Sequence, residues 1–179
     1  MKDRQLILIT GTPGTGKTTI AQKLAKDLDY EHIELSRLIK IHGWHEGYDR
    51  SAHSFIVDEA KLRKQLSLFL RGNAPGNQQD HRRIIIDTHL TAILGPSKPV
   101  LVIITGCRLK TLFRRLKARR YPQKKIRENL DAEIFEVCRT DAEKRYGPEK
   151  VIDYDSAGPL KTAYPSLLRA IKKYMKHLK

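Results

Sequence analysis

The sequence predicts an α/β fold, a three-layer sandwich with helices on both sides of a five-stranded parallel sheet. Apolar runs without polar alternation, such as Leu6–Ile9 and Ile84–Ile86, are typical of parallel strands that are buried on both faces. Amphipathic segments with a helical period separate these runs, as the crossovers between parallel strands require. With 179 residues, the chain is long enough to form one domain, residues 1–179, with a stable core.

The first strand, Leu6–Ile9, leads into a glycine-rich loop and then into an amphipathic helix. The spacing Gly11-x-x-x-x-Gly16-Lys17-Thr18 fits a phosphate-binding P-loop in the strand, loop and helix context that this motif requires. Glycines let backbone N–H groups wrap a polyphosphate. Lys17 is predicted to reach the β and γ phosphates of ATP, and the Thr18 hydroxyl to ligate Mg²⁺. The alternative is an ordinary turn, but a chance match seldom falls between an apolar strand and a helix.

The stretch after the first helix predicts a second strand, His32–Leu35, and a short helix with Ser36 as its N-cap. Residues 41–55 then show no apolar period. They combine aromatic residues with three histidines, whose spacing suits no standard metal site. We expect a lid over a second substrate there, with a solvated loop as the alternative.

A helix over Asp58–Arg71, ended by Gly72, and a loop over residues 73–81 precede the third strand, Arg83–Asp87. In P-loop enzymes, a carboxylate at the tip of a neighbouring strand holds a water on Mg²⁺, and Asp87 has this setting. The alternative role of Asp87 is that of a helix or turn cap.

The fourth strand, Val100–Thr105, is followed by a strongly basic stretch. Residues 108–127 contain ten Lys or Arg residues and no acid, and Tyr121-Pro122 divides the stretch into two helices. Arginines at such a helix–turn–helix are suited to closing over a transferring phosphoryl group. The competing interpretation is a solvated or RNA-binding face.

One long helix is predicted over residues 123–146, with Ile134 and Val137 facing inward. The rest of the chain predicts a strand, a loop and a last helix, over Val151–Tyr154, 155–159 and Tyr164–Leu178. In an open parallel sheet, ligand sites lie at the carboxyl ends of the strands.

The chain is strongly basic, with 35 Lys and Arg against 20 Asp and Glu, a formal net charge of +15. This excess favours an anionic partner, and we expect contact with RNA or a ribonucleoprotein. The alternative is that an enzyme for nucleotides gathers cations around its phosphates, although one active site rarely needs fifteen of them.

The two cysteines, Cys107 and Cys138, form no metal motif and no disulfide framework, which favours a reducing compartment. No run approaches the ~20 apolar residues of a membrane span, and the amino terminus lacks the plan of a signal peptide. We therefore expect a soluble, cytoplasmic protein without a membrane partner, or a nuclear one in a eukaryotic cell.

With these pieces placed, the chain resembles the nucleoside monophosphate kinases. More closely, it resembles the adenylate kinase isoenzyme 6 family, also described as the coilin-interacting nuclear ATPase family, and the resemblance covers nearly the whole chain. It is carried by Thr10–Thr19, Gly47–Asp49 with Val57–Glu59, Asp87–His89, Arg115–Tyr121, and Lys125–Asn129 with Glu133–Phe135.

The resemblance implies reversible phosphoryl transfer, ATP + AMP to 2 ADP, with broad acceptor specificity, together with ATP hydrolysis. It implies a monophosphate-binding region over residues 34–57 and a short lid over residues 118–128. The implied cofactor is ATP with Mg²⁺, and the implied catalytic residues are Lys17, Asp87, His89 and Arg119. The implied nucleotide-binding residues are Gly14, Gly16, Lys17, Thr18, Thr19, Arg119, Asp155 and Gly158, with Asp155–Gly158 near the adenine. Thr18 and Asp87, the latter through water, are the implied metal-binding residues.

His89 marks the point where this family departs from ordinary adenylate kinases, whose corresponding segment presents an Arg to the monophosphate. An imidazole beside Asp87 is suited to orienting a water, which favours hydrolysis, whereas the alternative is a His that only forms a hydrogen bond within the loop. The resemblance also implies a role in maturation of the small ribosomal subunit, with small-subunit ribosomal protein eleven and pre-ribosomal RNA as partners. The basic charge agrees with that role.

The chain departs from relatives of human type at two positions. Lys40 stands where an Arg is expected in the monophosphate region, and Lys lacks the planar fork of Arg. Arg120 replaces a Gly in the lid. Three functions remain as hypotheses: a housekeeping monophosphate kinase, a ribosome-assembly ATPase with a kinase-like fold, and a nucleic-acid-binding module with a relict P-loop.

Overall fold

The computed structural model describes residues 5–50, 54–72, 83–95, 99 and 101–177. Its strands are β1 (Gln5–Thr10), β2 (Glu31–Glu34), β3 (Gly47–Asp49), β4 (Ser54–Ile56), β5 (Arg83–Asp87), β6 (Leu101–Gly106) and β7 (Val151–Asp155). Five of them form a parallel sheet in the order β2–β5–β1–β6–β7. The predicted five-stranded parallel sheet is confirmed.

Seven helices accompany the sheet in the described ranges: α1 (Lys17–Leu28), α2 (Leu35–His42), α3 (Glu59–Leu70), α4 (Leu109–Ala118), α5 (Gln123–Ile134), α6 (Val137–Tyr146) and α7 (Leu160–His177). Helices α1 and α7 pack on one face of the sheet, and α2, α3 and α6 pack on the other. Helices α4 and α5 share a small core of their own, built from Leu112, Leu116 and Ile126. This arrangement is the three-layer sandwich that the sequence predicts. None of the helices that the structure describes is long and apolar enough to cross a membrane.

The central strand β1 shows why the apolar runs have no polar alternation. Ile7 and Ile9 face α1 and α7, whereas Leu6 and Leu8 face the opposite layer, and none of the four is more than 1% exposed. Burying each such side chain stabilises the fold by roughly 1.5–3 kcal/mol. Both faces of the strand therefore have to be apolar.

The structure corrects three details of the predicted elements. Helix α2 begins two residues earlier than predicted, with Glu34 and not Ser36 as its N-cap, and the Ser36 hydroxyl instead donates to the Glu34 carboxylate at 2.7 Å. Residues 41–55 are not a plain loop, because β3 and β4 pair as a short antiparallel hairpin there. Residues 51–53 lie outside the described residues, as do the predicted loop over 73–81, Val100 and Leu178.

The third correction concerns the long helix predicted over residues 123–146. It is two helices, α5 and α6, because the chain turns at Glu136, which has a left-handed φ of 49°. Ile134 and Val137, predicted to face inward, are more than half exposed on either side of this turn. The amphipathic period of the sequence continues across the break, which is why the pattern alone indicates one helix.

Candidate active site

The P-loop lies between β1 and α1, and its glycines are required by its geometry. Gly11 has a φ of 141°, and a Cβ at this position would lie 2.2 Å from the Thr105 carbonyl oxygen on β6. Gly14 and Gly16 have φ values of 96° and 91°, in the left-handed region that favours glycine. Gly16 is also the N-cap of α1, so the loop ends at the positive end of a helix, where a phosphate binds well.

Threonine hydroxyls hold the P-loop in this shape. The Thr15 hydroxyl has two acceptors within reach, the Thr105 hydroxyl oxygen at 2.7 Å and the Thr12 carbonyl at 2.8 Å. The Thr105 hydroxyl in turn donates to the Thr10 carbonyl at 3.2 Å. All of these residues are buried, so the hydrogen bonds are sheltered from water and fix the loop against β6.

Lys17 lies with its ammonium group folded onto the loop. Its Nζ donates to the carbonyl oxygens of Gly11 and Thr12, at 2.9 and 3.1 Å. Burial lowers the pKa of Lys17 to about 8, and the nearby carboxylate of Asp87 opposes this shift. The ammonium group is therefore still mostly protonated at neutral pH, and it is placed to exchange carbonyl partners for phosphate oxygens.

Asp87, at the carboxyl end of β5, is 4% exposed and has a partner on each carboxylate oxygen. The Thr18 hydroxyl donates to its Oδ1 at 3.2 Å, and Nε2 of His32 lies 2.5 Å from its Oδ2. An ionised carboxylate can only accept, so Nε2 of His32 carries the proton. A hydroxyl and a carboxylate next to a P-loop form an oxygen-only donor set that fits Mg²⁺.

One cleft of about 750 Å³ collects most of the residues that the sequence analysis singles out. Its walls are contributed by the P-loop, the strand tips of β2 and β5, the β3–β4 hairpin, and the turn between α4 and α5. The predicted site residues that line it are Gly14, Gly16, Lys17, Thr18, Thr19, Asp87, His89 and Arg119. The structure therefore brings the four predicted catalytic residues into one space.

His89 lies two residues beyond the tip of β5, and its ring is open to this cleft. The surrounding protein lowers its pKa to about 4 by desolvation, and the positive charges of Lys17 and Lys125 lower it further. The imidazole is therefore neutral at pH 7. A neutral imidazole is able to accept a hydrogen bond from a water molecule.

A neighbouring cleft of about 520 Å³ lies on the other side of Arg119, which lines both spaces. Gly14, Gly16, Thr19 and Gly158 line this second cleft, which has the position expected for the adenine end of a nucleotide. Asp155 is not among its lining residues. Its carboxylate accepts from the Ala157 N–H at 2.8 Å and faces a third cleft, so the structure separates Asp155 from Gly158.

Two residues that the sequence analysis leaves out of the site hold its parts together. Arg115 donates from Nη1 to the Ser156 hydroxyl at 3.0 Å and to the Gly14 carbonyl at 3.3 Å, and from Nη2 to the Ser156 carbonyl at 2.9 Å. The Ser156 hydroxyl donates to the Thr15 carbonyl at 2.5 Å. Hydrogen bonds therefore join helix α4, the P-loop and the loop after β7 to one another. Arg115 opens one of the motifs that carry the family resemblance, but nothing in the sequence indicates its contacts with Gly14 and Ser156.

The structure gives both departures from relatives a physical meaning. Arg120 lies in the turn between α4 and α5 with a left-handed φ of 56°, a conformation that glycine adopts at no cost. Lys40 is exposed on α2 and is not among the described residues that line the 750 Å³ cleft, where its neighbour Ile39 is.

Comparisons with known proteins identify the family of this chain. A family model described as an AAA domain matches residues 7–136. The chain is 38% identical to an adenylate kinase isoenzyme 6 homolog of Saccharomyces cerevisiae over 151 residues, 84% of this chain and 72% of the relative. It is 35% identical to a homolog of the same name from Dictyostelium discoideum over 156 residues, 87% and 83% of the two chains.

Among solved structures, a gluconokinase from Sinorhizobium meliloti is similar with a TM-score of 0.58 at 14% identity, over 99% of this chain and 97% of that one. At this identity the likeness concerns the fold alone, a P-loop kinase fold. The sequence matches go further, because they extend over most of both chains. The chain belongs to the adenylate kinase isoenzyme 6 homolog family and is a nucleoside monophosphate kinase-like P-loop protein.

Proposed function

We propose that this protein is a nucleoside monophosphate kinase that catalyses ATP + AMP to 2 ADP, accepts several monophosphates, and also hydrolyses ATP. The observation that carries the proposal is the shared cleft of Lys17, Thr18, Asp87, His89 and Arg119. A nucleic-acid-binding module with a relict P-loop has no need for this set of residues in one space.

The proposed acceptor region is residues 34–57, and the proposed lid is residues 118–128. Tyr48 and Phe55 of the hairpin form one wall of the 750 Å³ cleft, and Arg119 and Lys125 form part of the other. An aromatic wall suits a nucleobase, whereas a cationic wall suits the phosphates that pass between donor and acceptor.

The residues of the chain act mainly by position and charge. Lys17 and Arg119 place positive charge where the transferring phosphoryl group accumulates negative charge. The reaction needs little covalent chemistry from the protein. Thr18 and Asp87 would hold Mg²⁺, which supplies charge neutralisation when it is bound. Arg115 and Ser156 fix the position of helix α4 relative to the P-loop, which helps to align the phosphate donor with the acceptor.

Hydrolysis follows from the same geometry when no acceptor is bound. The neutral ring of His89 accepts a hydrogen bond from a water in the cleft and orients it toward the γ-phosphate, which is the role of a water-positioning residue. His89 is not needed for transfer to AMP, because the monophosphate brings its own nucleophilic oxygen.

We further propose that ATP turnover serves late maturation of the small ribosomal subunit and rRNA processing, in the cytoplasm or, in a eukaryote, in the nucleus. The proposed partners are small-subunit ribosomal protein eleven and pre-ribosomal RNA. The net charge of +15 supports a nucleic-acid partner. The exposed basic residues of α4, Lys110, Arg114 and Lys117, support it too, because they do not line the two clefts beside the P-loop.

The first experiment measures ADP and free phosphate released from ATP with Mg²⁺, with and without AMP, for the wild type and His89→Ala. His177→Ala, at the exposed end of α7, is the matched control. We expect free phosphate without AMP, a fall of at least about tenfold in His89→Ala, and little change in AMP-dependent ADP formation. Release of ADP only with AMP would make the protein a housekeeping kinase and would overturn the hydrolytic role of His89.

A further inference from the structure

The junction between α5 and α6 exposes a group of apolar side chains. Ile134, Phe135 and Val137 are 53%, 73% and 51% exposed, and Phe135 is the most exposed of the large apolar residues in the described ranges. We refer to residues 133–137 as the α5–α6 corner. Single exposed apolar residues are ordinary, but an adjacent group that includes a phenylalanine indicates a contact surface.

The backbone at the corner is strained in a way that keeps these side chains outside. Glu136 has φ 49° and ψ 38°, a left-handed conformation that costs free energy for a residue with a Cβ. An uninterrupted helix would avoid this cost. Strained residues that persist in a fold cluster at sites of function, which motivates a search for a function at this break.

The charge of this region is opposite to that of the rest of the chain. Residues 128–143 contain six acids and one base, a net charge of −5 in a chain of net charge +15. The one base, Arg139, is paired with Asp153 and with Glu143. The corner is therefore an acidic patch with an apolar centre, and an RNA backbone is repelled from it.

A cleft of about 370 Å³ opens beside the corner. Its ionisable lining consists of four carboxylates and two guanidinium groups, from Glu133, Glu136, Asp153, Asp155, Arg108 and Arg139. Glu133 uses Oε1 to accept from the Cys107 N–H at 2.9 Å, which fixes its carboxylate at the rim. The space and the sign of the charge suit the side chain of a lysine or arginine.

We propose that the α5–α6 corner is a docking surface for a cationic protein segment that presents an apolar side chain next to a lysine or arginine. The apolar side chain packs on Phe135, and the cationic one enters the acidic cleft. This pairing of an aromatic anchor with surrounding complementary charge is typical of the residues that dominate protein interfaces. The exposed apolar side chains of the corner do not line the 750 Å³ cleft, whereas the acidic cleft extends to the P-loop backbone at Gly11 and Thr12. Docking therefore takes place next to the nucleotide site and not in it.

The inference rests on the proposed function only for the choice of one probe, small-subunit ribosomal protein eleven from the same organism. The second probe is a synthetic peptide of six lysines and arginines around a central leucine. Binding of each probe to the full chain is measured by isothermal titration calorimetry. The variants are Phe135→Ser and Glu136→Gln, and Leu68→Ser, an exposed residue of α3, is the matched control.

We expect Phe135→Ser to weaken binding of both probes at least about tenfold, since truncation of an aromatic anchor removes a hot spot. We expect Glu136→Gln to weaken binding about two- to fivefold and to reduce its dependence on salt. Leu68→Ser leaves both affinities unchanged. ATP turnover of Phe135→Ser stays at the wild-type level, which shows that the variant is folded.

The remaining outcomes separate the two proposals. If the ribosomal protein binds the wild type and Phe135→Ser equally well, the docking surface is wrong and the proposed partner stands. If only the peptide binds, and Phe135→Ser abolishes this binding, the surface stands and the proposed partner is wrong. Dimers of the wild type that dissociate in Phe135→Ser would assign the surface to a second copy of the chain, and RNA binding lost in that variant would assign it to RNA. Either result overturns the cationic protein partner.

Discussion

Nε2 of His32 lies 2.5 Å from Oδ2 of Asp87, and this contact joins the tips of the neighbouring strands β2 and β5. Because Thr18 occupies the other carboxylate oxygen, the carboxylate has no freedom to rotate. His32 is 17% exposed, so the contact is largely sheltered from water. His32 is thus a positioning residue for the carboxylate that is proposed to hold Mg²⁺.

Replacing His32 tests this role. His32→Leu removes the hydrogen bond and is expected to weaken the affinity for ATP with Mg²⁺ about tenfold, since partners of metal-binding carboxylates have effects of this size. Affinity for ATP in EDTA is expected to stay the same. His32→Gln, whose amide N–H reaches a similar position, restores most of the loss. Calorimetric titrations with and without Mg²⁺ measure both affinities, and an equal loss under the two conditions contradicts the role.

The contact between Gly11 and Thr105 predicts a severe effect of one added methyl group. In Gly11→Ala the Cβ meets a backbone carbonyl at 2.2 Å, so the loop has to move. We expect loss of more than about 3 kcal/mol of stability and no measurable ATP binding. Gly43→Ala is the control, because Gly43 also has a positive φ, 64°, but no atom within 4 Å of the added Cβ. It is expected to cost about 1–2 kcal/mol, measured by urea unfolding.

The fork of Arg115 predicts a difference between arginine and lysine at this position. Arg115→Lys keeps the charge but loses the two-pronged hold on Ser156. The expected result is a rise of about tenfold in KM for ATP with a smaller change in kcat, because the loss concerns binding in both ground and transition states. Arg114→Lys, on the exposed face of α4, is expected to change neither constant. A fall in kcat alone would contradict this account.

Tyr146 predicts a stability effect away from the site. Its buried hydroxyl donates to the Thr91 carbonyl at 2.6 Å and ties α6 to the turn that follows Asp87 and His89. Tyr146→Phe leaves that carbonyl buried without its donor, which costs about 1–3 kcal/mol. Urea unfolding at neutral pH measures the loss. Tyr48→Phe, with a half-exposed ring, is the control and is expected to stay within about 0.5 kcal/mol of the wild type.

The same residue predicts a pH dependence. Burial raises the pKa of Tyr146 to about 12, whereas in the unfolded chain it is about 10. Below a pH of about 10 the Tyr146 hydroxyl is protonated in both the folded and the unfolded state. Between pH values of about 10 and 12 only the unfolded state loses this proton, so the free energy of unfolding falls as the pH rises. The wild type is therefore expected to lose more stability than Tyr146→Phe between pH values of about 9 and 11. Parallel curves for the two proteins would contradict the assignment.

The sequence predicts the parts of the fold whose causes are local. The buried strands, the P-loop and the carboxylate at the tip of β5 all follow from patterns within a few residues, and the sheet and the shared cleft agree with them. The break at Glu136 does not follow, because a left-handed glutamate carries no local signal and the apolar period continues across it.

Residues that matter through distant contacts escape prediction from the sequence for a different reason. His32 reads as an ordinary strand residue, because its contact with Asp87 depends on the order of strands in the sheet. Arg115 reads as one basic residue among many, because its partners come from the P-loop and from the loop after β7. Such contacts between remote segments require the folded chain.

The threonine hydroxyls that hold the P-loop against β6 determine when the loop loses its conformational entropy. The hydrogen bonds of Thr15 and Thr105 form when the chain folds, before any nucleotide arrives. An incoming phosphate therefore meets N–H groups that are already aligned, and its affinity is not reduced by the cost of ordering them. In the proposed reaction cycle, we therefore expect product release to be limited by opening of the lid and not by melting of the loop.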